Sequence, residues 1–309
     1  MAIGPFSNYE GLLSPSARVE KLRELEEIWF EVADILGTDI IQIPCTFNDG
    51  KTNTGDFEQV VRDLREIAEL GGVKERRKRG GNEKGRVEKR GYRFAYENLC
   101  FGTYNDTWEK AWRVVKAVDK ENFGLCLDTF NIAGREWGDP AREDGKVENA
   151  DRLFKESLKR LVREVDVKKV FYVQVVDAER LTKKLDEKHE FYVEGQKPRM
   201  SWSRNCRLFV CEEERGGYLP VLLVLKAICD EKEGLGYKGW VSMELFNRSL
   251  VEEGENVPRE HARRAVASWG KLVQRMGWEG KVEKLRSDVV TTRSALLEER
   301  NEGEVMARL

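Results

Sequence analysis

The segment NFGLCLDTFN, residues 122–131, decides the fold more than any other stretch of this chain. Residues 123–127 form a nearly continuous apolar run, which is typical of a parallel strand buried on both faces. The run stops at Asp128, where the chain must return to water. Sites in parallel sheets and barrels lie at the carboxyl ends of strands, so this aspartate is placed to bind a ligand rather than to pack.

Three further apolar runs end in the same way, on a side chain that carries a carboxyl or amide oxygen. They are residues 93–97, 170–174 and 240–244, which end on Glu97, Gln174 and Glu244. Any one of these acidic residues, taken alone, is explained equally well as a solvated or salt-bridged side chain at the end of a strand. Together, three carboxylates at one rim repel each other unless one is protonated or a cation lies between them. Because Mg²⁺ and Mn²⁺ prefer oxygen ligands, the convergence of the four strand ends predicts a divalent-metal site.

The wider sequence pattern alternates strands with amphipathic helices. Residues 1–6 and 39–44 add two strands to the four above, and helix-length segments separate all six. Ser14 followed by Pro15 is a typical helix start, and Gly37 ends the apolar pattern that follows it. This alternation predicts parallel βαβ units and hence an α/β domain. A closed barrel of this kind needs eight strands.

Composition argues against several functional classes. The chain has 309 residues, and its 54 basic and 56 acidic side chains leave a formal charge of −2. Such a balance provides no general attraction to nucleic acid or to an anionic membrane. No apolar run is long enough to span a bilayer, and the start of the chain has no signal-peptide pattern, so we expect a cytoplasmic protein.

The cysteines and histidines narrow the chemistry further. Six cysteines occur without a CxxC pair or regular spacing, which argues for a reducing compartment and against a zinc–thiolate site. Only His189 and His261 are present, the first in a charged segment and the second in a predicted helix. A Ser-His-Asp triad or a histidine-rich metal site is therefore not expected.

Two segments depart from the alternation of strands and helices. Residues 71–91 are basic and rich in glycine, with almost no apolar side chain. Because no aromatic residues are interleaved for base stacking, this stretch is predicted to be a solvated, disordered insertion rather than a nucleic-acid-binding patch. The connection 177–217 is long enough to have a function. It contains Arg204 and Arg207, whose guanidinium groups suit a carboxylate ligand.

Five segments of this sequence resemble the fungal 3-dehydroshikimate dehydratases, a group within the xylose-isomerase-like TIM-barrel superfamily. The segments are YENL at 96–99, GLCLDTFN at 124–131, YVQVVD at 172–177, MSWSR at 200–204 and SMELFN at 242–247. The resemblance extends over residues 5–276. It implies an α/β fold of the (β/α)8 TIM-barrel type over residues 1–277, followed by a charged tail at 278–309.

The same resemblance implies a reaction and the residues that perform it. The reaction is the metal-dependent dehydration of 3-dehydroshikimate, a small-molecule carboxylate, to protocatechuate in quinate and shikimate catabolism. The implied cofactor is Mn²⁺ or Mg²⁺, and Co²⁺ would also fit. The implied metal ligands are the residues at the four strand ends, Glu97, Asp128, Gln174 and Glu244. Arg204 is expected to hold the substrate carboxylate, with Arg207 and Asn131 as further substrate-binding residues.

Three features depart from the group that the sequence resembles. Its members carry two further βα units before the strand at residues 1–6, so we expect about six of the eight barrel strands, with a gap and two exposed sheet edges. Their loop before the strand at 93–97 is short, which marks 71–91 as an insertion. Seven positions after Glu97 they often have a histidine, where this chain has Tyr104. The general base is therefore open between Tyr104, a water molecule on the metal and a further carboxylate.

Two alternatives stand beside the dehydratase. One is another metal-dependent isomerase of the same superfamily, acting on a sugar or an inosose; its polyol substrate has no carboxylate for Arg204 to bind. The other is a truncated remnant without catalytic activity. Metal binding by the purified chain separates the remnant from both enzymes.

Overall fold

The computed structural model describes residues 2–77 and 87–283, which belong to two units, Met1–Val257 and Pro258–Leu309. In the described residues, the strands are β1 Ala2–Ile3, β2 Ile40–Pro44, β3 Lys74–Arg77, β4 Val87–Arg90, β5 Arg93–Glu97, β6 Phe123–Asp128, β7 Val170–Gln174, β8 Asp177–Ala178, β9 Arg207–Leu208 and β10 Val241–Ser242. The α-helices are α1 Pro15–Glu24, α2 Phe30–Leu36, α3 Phe57–Leu70, α4 Trp108–Val118, α5 Thr129–Glu136, α6 Ala150–Glu164, α7 Pro198–Asn205, α8 Val221–Cys229 and α9 Val257–Met276.

A six-stranded parallel sheet forms the centre of the first unit. Its strand order is β1-β2-β5-β6-β7-β10, so each strand pairs with the next strand of this sheet along the chain. Sequential parallel strands with helices between them are the repeating βα unit of a barrel. The sheet therefore confirms the prediction of an incomplete (β/α)8 fold with six strands.

The two edges of this sheet face one cavity. Within the described ranges, strands β1 and β10 each pair on one side only. Residues of both strands, together with Gln42 and Tyr172 from strands between them, line a single cavity of about 330 Å³. The sheet is therefore curled, and its concave face encloses the interior of a partial barrel. Both edge strands are two residues long, shorter than the predicted strands at 1–6 and 240–244, because each has a pairing partner on one side only.

The strand register aligns the carboxyl ends at one rim. Pro44 pairs with Glu97, and Asp128 pairs with Gln174, so β2 ends level with β5 and β6 ends level with β7. Tyr96 pairs with Leu125, so Asp128 lies two residues beyond the level of Glu97, a stagger that is typical of a barrel. Ser242 also pairs with Gln174, which places Glu244 two residues beyond the end of β10. All four strand-end side chains predicted as metal ligands thus reach this rim.

Local sequence explains where the helices next to this rim begin. Ser14 caps α1 and Pro15 is its first residue, as predicted. Asp128 caps α5 by accepting a hydrogen bond from the backbone N–H of Asn131. The predicted helix over residues 15–36 is interrupted by a π-helical turn, Leu25–Trp29, before it ends at Gly37 in a left-handed conformation with φ 65°.

The helix layer packs on the convex face of the sheet. Helices α3 and α4 contact each other, and α8 contacts both α5 and α6. Trp108 in this layer is fully buried and donates a hydrogen bond from Nε1 to Ser157 Oγ over 2.8 Å. This bond joins the start of α4 to α6 without leaving a buried indole N–H unpaired.

The basic segment 71–91 differs from the predicted disordered insertion where the structure describes it. Strands β3 and β4 pair antiparallel, with Lys74 opposite Arg90 and Arg77 opposite Val87. The hydrogen bond from Tyr92 N to Gly71 O, 2.7 Å long, closes the base of this hairpin. Arg90 of β4 also donates from Nη2 to the backbone oxygen of Thr38 over 2.9 Å. Backbone pairing and this anchor hold the hairpin without an apolar pattern in its sequence. Residues 78–86 lie outside the described residues.

The second unit contains most of helix α9. Its Ser268, Leu272 and Val273 are buried. The rings of Trp269 and Trp278 lie 6.4 Å apart between centroids. Helical backbone resumes at residues 279–283, and the rest of the predicted charged tail, from residue 284 onward, lies outside the described residues. None of the described helices has both the length and the apolar character needed to cross a lipid bilayer.

Replacing Gly124 with alanine is expected to destabilise the first unit. A Cβ at this position would meet the carbonyl oxygen of Lys169 and lie 2.8 Å from the ring of Phe171, so β6 and β7 would have to separate. We expect Gly124→Ala to lower the free energy of unfolding by about 1–3 kcal/mol in urea titrations. Gly270→Ala is the matched control, because an added Cβ there has no neighbour within 4 Å; it should be neutral or stabilise α9 by up to about 1 kcal/mol. Equal changes in the free energy of unfolding for the two substitutions would contradict the close approach of β6 to β7 at Gly124.

Candidate metal centre

Three carboxylates from separate strands meet at the rim of the partial barrel. Glu97 is the last residue of β5, Asp128 is the last residue of β6, and Glu244 follows β10. One oxygen of each lies within 4.8 Å of the other two. Glu97 and Asp128 are buried and Glu244 is partly buried. The structure thus brings the three predicted acidic ligands close enough for one ion to contact all of them.

The fourth predicted ligand, Gln174, lies directly beside them. Its Nε2 donates to Glu244 Oε1 over 2.7 Å. Its Oε1 accepts from Cys126 Sγ at 3.2 Å and from Gln42 Nε2 at 3.4 Å. In this arrangement Gln174 orients Glu244 through its amide nitrogen, while its amide oxygen is held by neighbouring donors.

Two amide side chains hold Glu97. Gln42 Nε2 donates to Glu97 Oε2 over 2.5 Å, and Asn131 Nδ2 donates to Glu97 Oε1 over 2.8 Å. Burial raises the pKa of Glu97 well above its ordinary value, and the charges of Asp128 and Glu244 raise it further. Gln42 was missed in the sequence, although a polar side chain inside the apolar run 39–44 is a signal for such a position.

Asn131, a predicted substrate-binding residue, is part of the same network. Its backbone N–H donates to Asp128 Oδ1 over 2.8 Å, and its Oδ1 accepts from the backbone N–H of Cys100 over 2.9 Å. The side chain is fully buried. Both of its polar side-chain atoms are bonded to the protein, so Asn131 orients the two carboxylates that it contacts.

Arg207 is the positive charge of this site. Its Nη1 donates to Asp128 Oδ2 over 2.9 Å and to Glu244 Oε2 over 2.6 Å. Burial lowers the pKa of Arg207, but Asp128, Glu244 and Glu97 outweigh that effect and hold the pKa above its ordinary value. The guanidinium also lies 4.4 Å from the ring centroid of Phe130. Arg207 is therefore a fully charged group inside the carboxylate cluster.

The backbone around Arg207 is fixed by strand pairing. Ala178 of β8 pairs with Arg207 of β9. Arg207 N donates to Phe246 O over 3.1 Å, and Asn247 Nδ2 donates to Arg207 O over 2.9 Å. The long connection 177–217 thus returns to the chain that carries Glu244 and delivers the guanidinium to the rim.

Arg204 and Tyr104 bond elsewhere in the structure. Arg204 is exposed, and its Nη1 donates to Gln196 Oε1 over 2.9 Å. The hydroxyl of Tyr104 donates to the backbone oxygen of Asn53 over 2.9 Å. The contacts of the described residues do not bring either side chain to the three carboxylates.

The charges of the cluster fit a divalent cation. Three ionised carboxylates and the one guanidinium of Arg207 leave an excess of two negative charges. Burial, and after it the charges of Asp128 and Glu244, raises the pKa of Glu97, so a bound cation would favour the ionised form of this carboxyl. The available donors are oxygen atoms, which suit a hard divalent ion.

Comparison with known proteins shows the family. The model of the xylose isomerase-like TIM barrel matches residues 1–271. The chain belongs to the xylose isomerase-like TIM-barrel family. A 3-dehydroshikimate dehydratase of Neurospora crassa is 46% identical over 276 residues, which cover 89% of this chain and 71% of that protein. A 3-dehydroshikimate dehydratase of Pseudomonas aeruginosa is 28% identical over 79% of this chain, but the match covers only 28% of that protein. These relatives confirm the resemblance recognised in the sequence motifs.

Solved structures support the fold. A xylose isomerase-like TIM barrel/4-hydroxyphenylpyruvate dioxygenase fusion protein superposes with a TM-score of 0.63 at 23% identity, covering 92% of this chain and 35% of that chain. The IolI protein, described with a binding zinc atom, superposes with a TM-score of 0.58 at 18% identity, covering 89% of this chain and 76% of that chain. At these identities the likeness shows a common barrel architecture.

Asp177 holds the start of the connection that carries Arg207. It is buried, and its Oδ1 accepts backbone N–H groups of Ala178 at 2.7 Å, Tyr218 at 3.2 Å and Leu219 at 2.9 Å. Burial raises the pKa of Asp177 to about 7, and these three hydrogen bonds limit the rise. The folded protein therefore binds this proton more tightly than the unfolded chain does.

Replacing Asp177 with asparagine should remove part of the pH dependence of stability. A raised folded pKa means that stability falls as pH rises from about 4 to about 7, where the folded carboxyl loses its proton. Asparagine keeps the acceptor oxygen without the charge. We expect Asp177→Asn to be more stable than the natural chain by about 1–3 kcal/mol at pH 8 and by much less at pH 5. Urea unfolding in EDTA measures this difference. Asp166→Asn is the control, because Asp166 is exposed and its Oδ1 likewise accepts a backbone N–H, from Lys168. A pH-independent difference for Asp177→Asn would contradict the assignment.

Proposed function

We propose that this chain is a metal-dependent hydro-lyase that converts 3-dehydroshikimate to protocatechuate. The observation that carries the proposal is the convergence of Glu97, Asp128 and Glu244 on one point beside the buried Arg207. The 46% identity to the Neurospora crassa 3-dehydroshikimate dehydratase indicates which reaction this site would perform.

The proposed reaction needs removal of a proton next to a ketone and loss of a hydroxyl group from the adjacent position. A divalent cation held by Glu97, Asp128, Glu244 and Gln174 would supply a Lewis acid for the charge that develops on the ketone oxygen. We propose Mn²⁺ or Mg²⁺ for this role, and Co²⁺ has a compatible preference for ligands. Gln42 and Asn131 would keep Glu97 oriented, because both donate to its carboxylate.

Arg207 is the best-supported group for the substrate carboxylate. Its Nε donates to Ser203 Oγ over 3.1 Å and its Nη1 binds two carboxylates, whereas Nη2 has no hydrogen-bond partner in the described part of the chain. A guanidinium with free donors suits a carboxylate, and holding the substrate in a fixed orientation contributes to rate. Arg204 stays a second candidate from the sequence, and its exposed position is the weaker support.

The cavity suits a small ring acid. Its volume of about 330 Å³ lies at the small end of the range for ligand pockets. Gln42, Gln174 and Glu244 contribute to its lining, so the cavity reaches the carboxylate cluster. Tyr104 stays a candidate for the general base on sequence grounds alone.

We also propose that the protein acts in the cytoplasm on this small carboxylate substrate. All six cysteines are buried thiols, which suits a reducing compartment. Their burial also keeps the thiols away from solvent oxidants.

Neutralising single ligands should abolish dehydration. We expect Glu97→Gln and Asp128→Asn to lower kcat/KM by about 10³-fold or more, because each removes a charge that holds the cation. The assay is the ultraviolet band of the catechol product, measured with Mn²⁺, with Mg²⁺ and with EDTA. Glu121→Gln is the matched control, because Glu121 is exposed at the opposite end of β6. A folded, metal-loaded protein that forms no product would overturn the dehydratase assignment and favour a sugar isomerase or an inactive remnant.

Two conservative arginine variants decide which guanidinium binds the substrate. We expect Arg207→Lys to raise KM for 3-dehydroshikimate by about tenfold or more, because lysine cannot reproduce the planar donor geometry of arginine. Arg204→Lys should have a smaller effect. Steady-state kinetics at saturating metal measures both, and a larger rise in KM for Arg204→Lys would assign the carboxylate to Arg204.

A further inference from the structure

Arg207 binds the same carboxylates that the proposed metal needs. One nitrogen, Nη1, bridges Asp128 Oδ2 and Glu244 Oε2. Arg207 is 2% exposed and Asp128 is fully buried, so this ion pair is largely shielded from water. Buried charges are stable only when they are paired, because removing a lone charge from water costs several kcal/mol.

Arg207 also contacts two aromatic rings and a serine hydroxyl. These contacts can stabilise its guanidinium in more than one hydrogen-bonded position. Phe130 and Phe246 lie 4.4 and 5.2 Å from its guanidinium, measured to the ring centroids. Contact with aromatic rings stabilises a cation over a range of positions, since it depends less on direction than a hydrogen bond does. Ser203 Oγ supplies one further acceptor, for Nε. The guanidinium therefore has partners that do not belong to the carboxylate cluster.

We propose that Arg207 is a built-in counter-cation that holds Asp128 and Glu244 together in the metal-free protein and releases at least one of them when a divalent cation binds. This inference rests on the metal site of the proposed function. A divalent cation and a guanidinium in contact with the same two oxygens repel each other. The two cations therefore compete, and the affinity for metal is lower than three carboxylates alone would give.

The competition has a consequence for substrate binding. Each hydrogen bond that Nη1 gives up frees a donor next to the already unbonded Nη2. The guanidinium would then present a pair of donors to a carboxylate. Metal binding would thus increase the affinity of Arg207 for a carboxylate. The substrate would therefore bind most tightly to the metal-loaded protein.

Calorimetric titration with Mn²⁺ tests the competition directly. The proteins are the natural chain, Arg207→Gln, Arg207→Lys and Arg180→Gln, each stripped with EDTA, dialysed and titrated at pH 8.0, where protons compete least for the carboxylates. We expect Arg207→Gln to bind Mn²⁺ at least about tenfold more tightly than the natural chain. Arg207→Lys should lie between them, because lysine keeps the charge but lacks the fork of donors. Arg180→Gln, which removes an exposed arginine of the same connection, should match the natural chain.

Thermal unfolding of the same proteins provides a second measurement. Without metal, Arg207→Gln should unfold at a lower temperature than the natural chain, because two carboxylates lose their partner. Added Mn²⁺ should raise its unfolding temperature by more than it raises that of the natural chain. Folding of Arg207→Gln only in the presence of Mn²⁺ supports the proposal. If this variant folds neither with nor without Mn²⁺, the Mn²⁺ affinity of Arg207→Lys decides whether the proposal stands.

The outcomes distinguish this inference from the function on which it rests. If the natural chain binds no divalent cation, the proposed metal site fails. If the natural chain binds Mn²⁺ and the folded Arg207 variants bind it with equal or lower affinity, the metal site stands and the counter-cation role of Arg207 is overturned.

Discussion

Three carboxylates at one rim repel each other, and the residues around this site are arranged to offset that repulsion. Glu97, Asp128 and Glu244 come within 4.8 Å of one another in a largely buried position, where like charges repel strongly. The protein offsets part of this repulsion with one guanidinium and with amide donors. What is left is an excess of negative charge that a divalent cation would neutralise. An added cation would therefore stabilise the ionised form of this cluster.

The parallel sheet creates this situation because its strands run in one direction. Carboxyl ends of neighbouring strands lie side by side, so polar residues at those ends meet even though they are far apart along the chain. Asp128 and Gln174 are register partners on β6 and β7. The same architecture leaves β1 and β10 unpaired on their outer sides. Such edges are exposed to pairing with other chains. Here both edges are only two residues long, which limits the number of free backbone groups.

Much of the fold was predictable because its signals are local. Apolar runs that end on an oxygen-bearing side chain identified β5, β6 and β7, and the alternation with helices identified the class of sheet. The two edge strands were predicted too long, since strand length depends on the presence of a neighbour as well as on sequence. The hairpin of β3 and β4 was missed for a related reason. Its strands are held by backbone hydrogen bonds and have no apolar pattern to reveal them.

By itself, the sequence determined the order of strands, the family and the three acidic residues at the strand ends. The strands and the acidic residues at their ends follow from apolar patterns within a few neighbouring residues, whereas the family follows from the resemblance of five segments to a known group. Only the tertiary structure decided that Arg207, rather than Arg204, lies among the carboxylates, and that Gln42 supports Glu97. The hydrogen bond between Arg207 and Asp128 joins residues 79 positions apart. Its existence depends on how the connection 177–217 returns to the rim, and no periodicity in the sequence encodes that path.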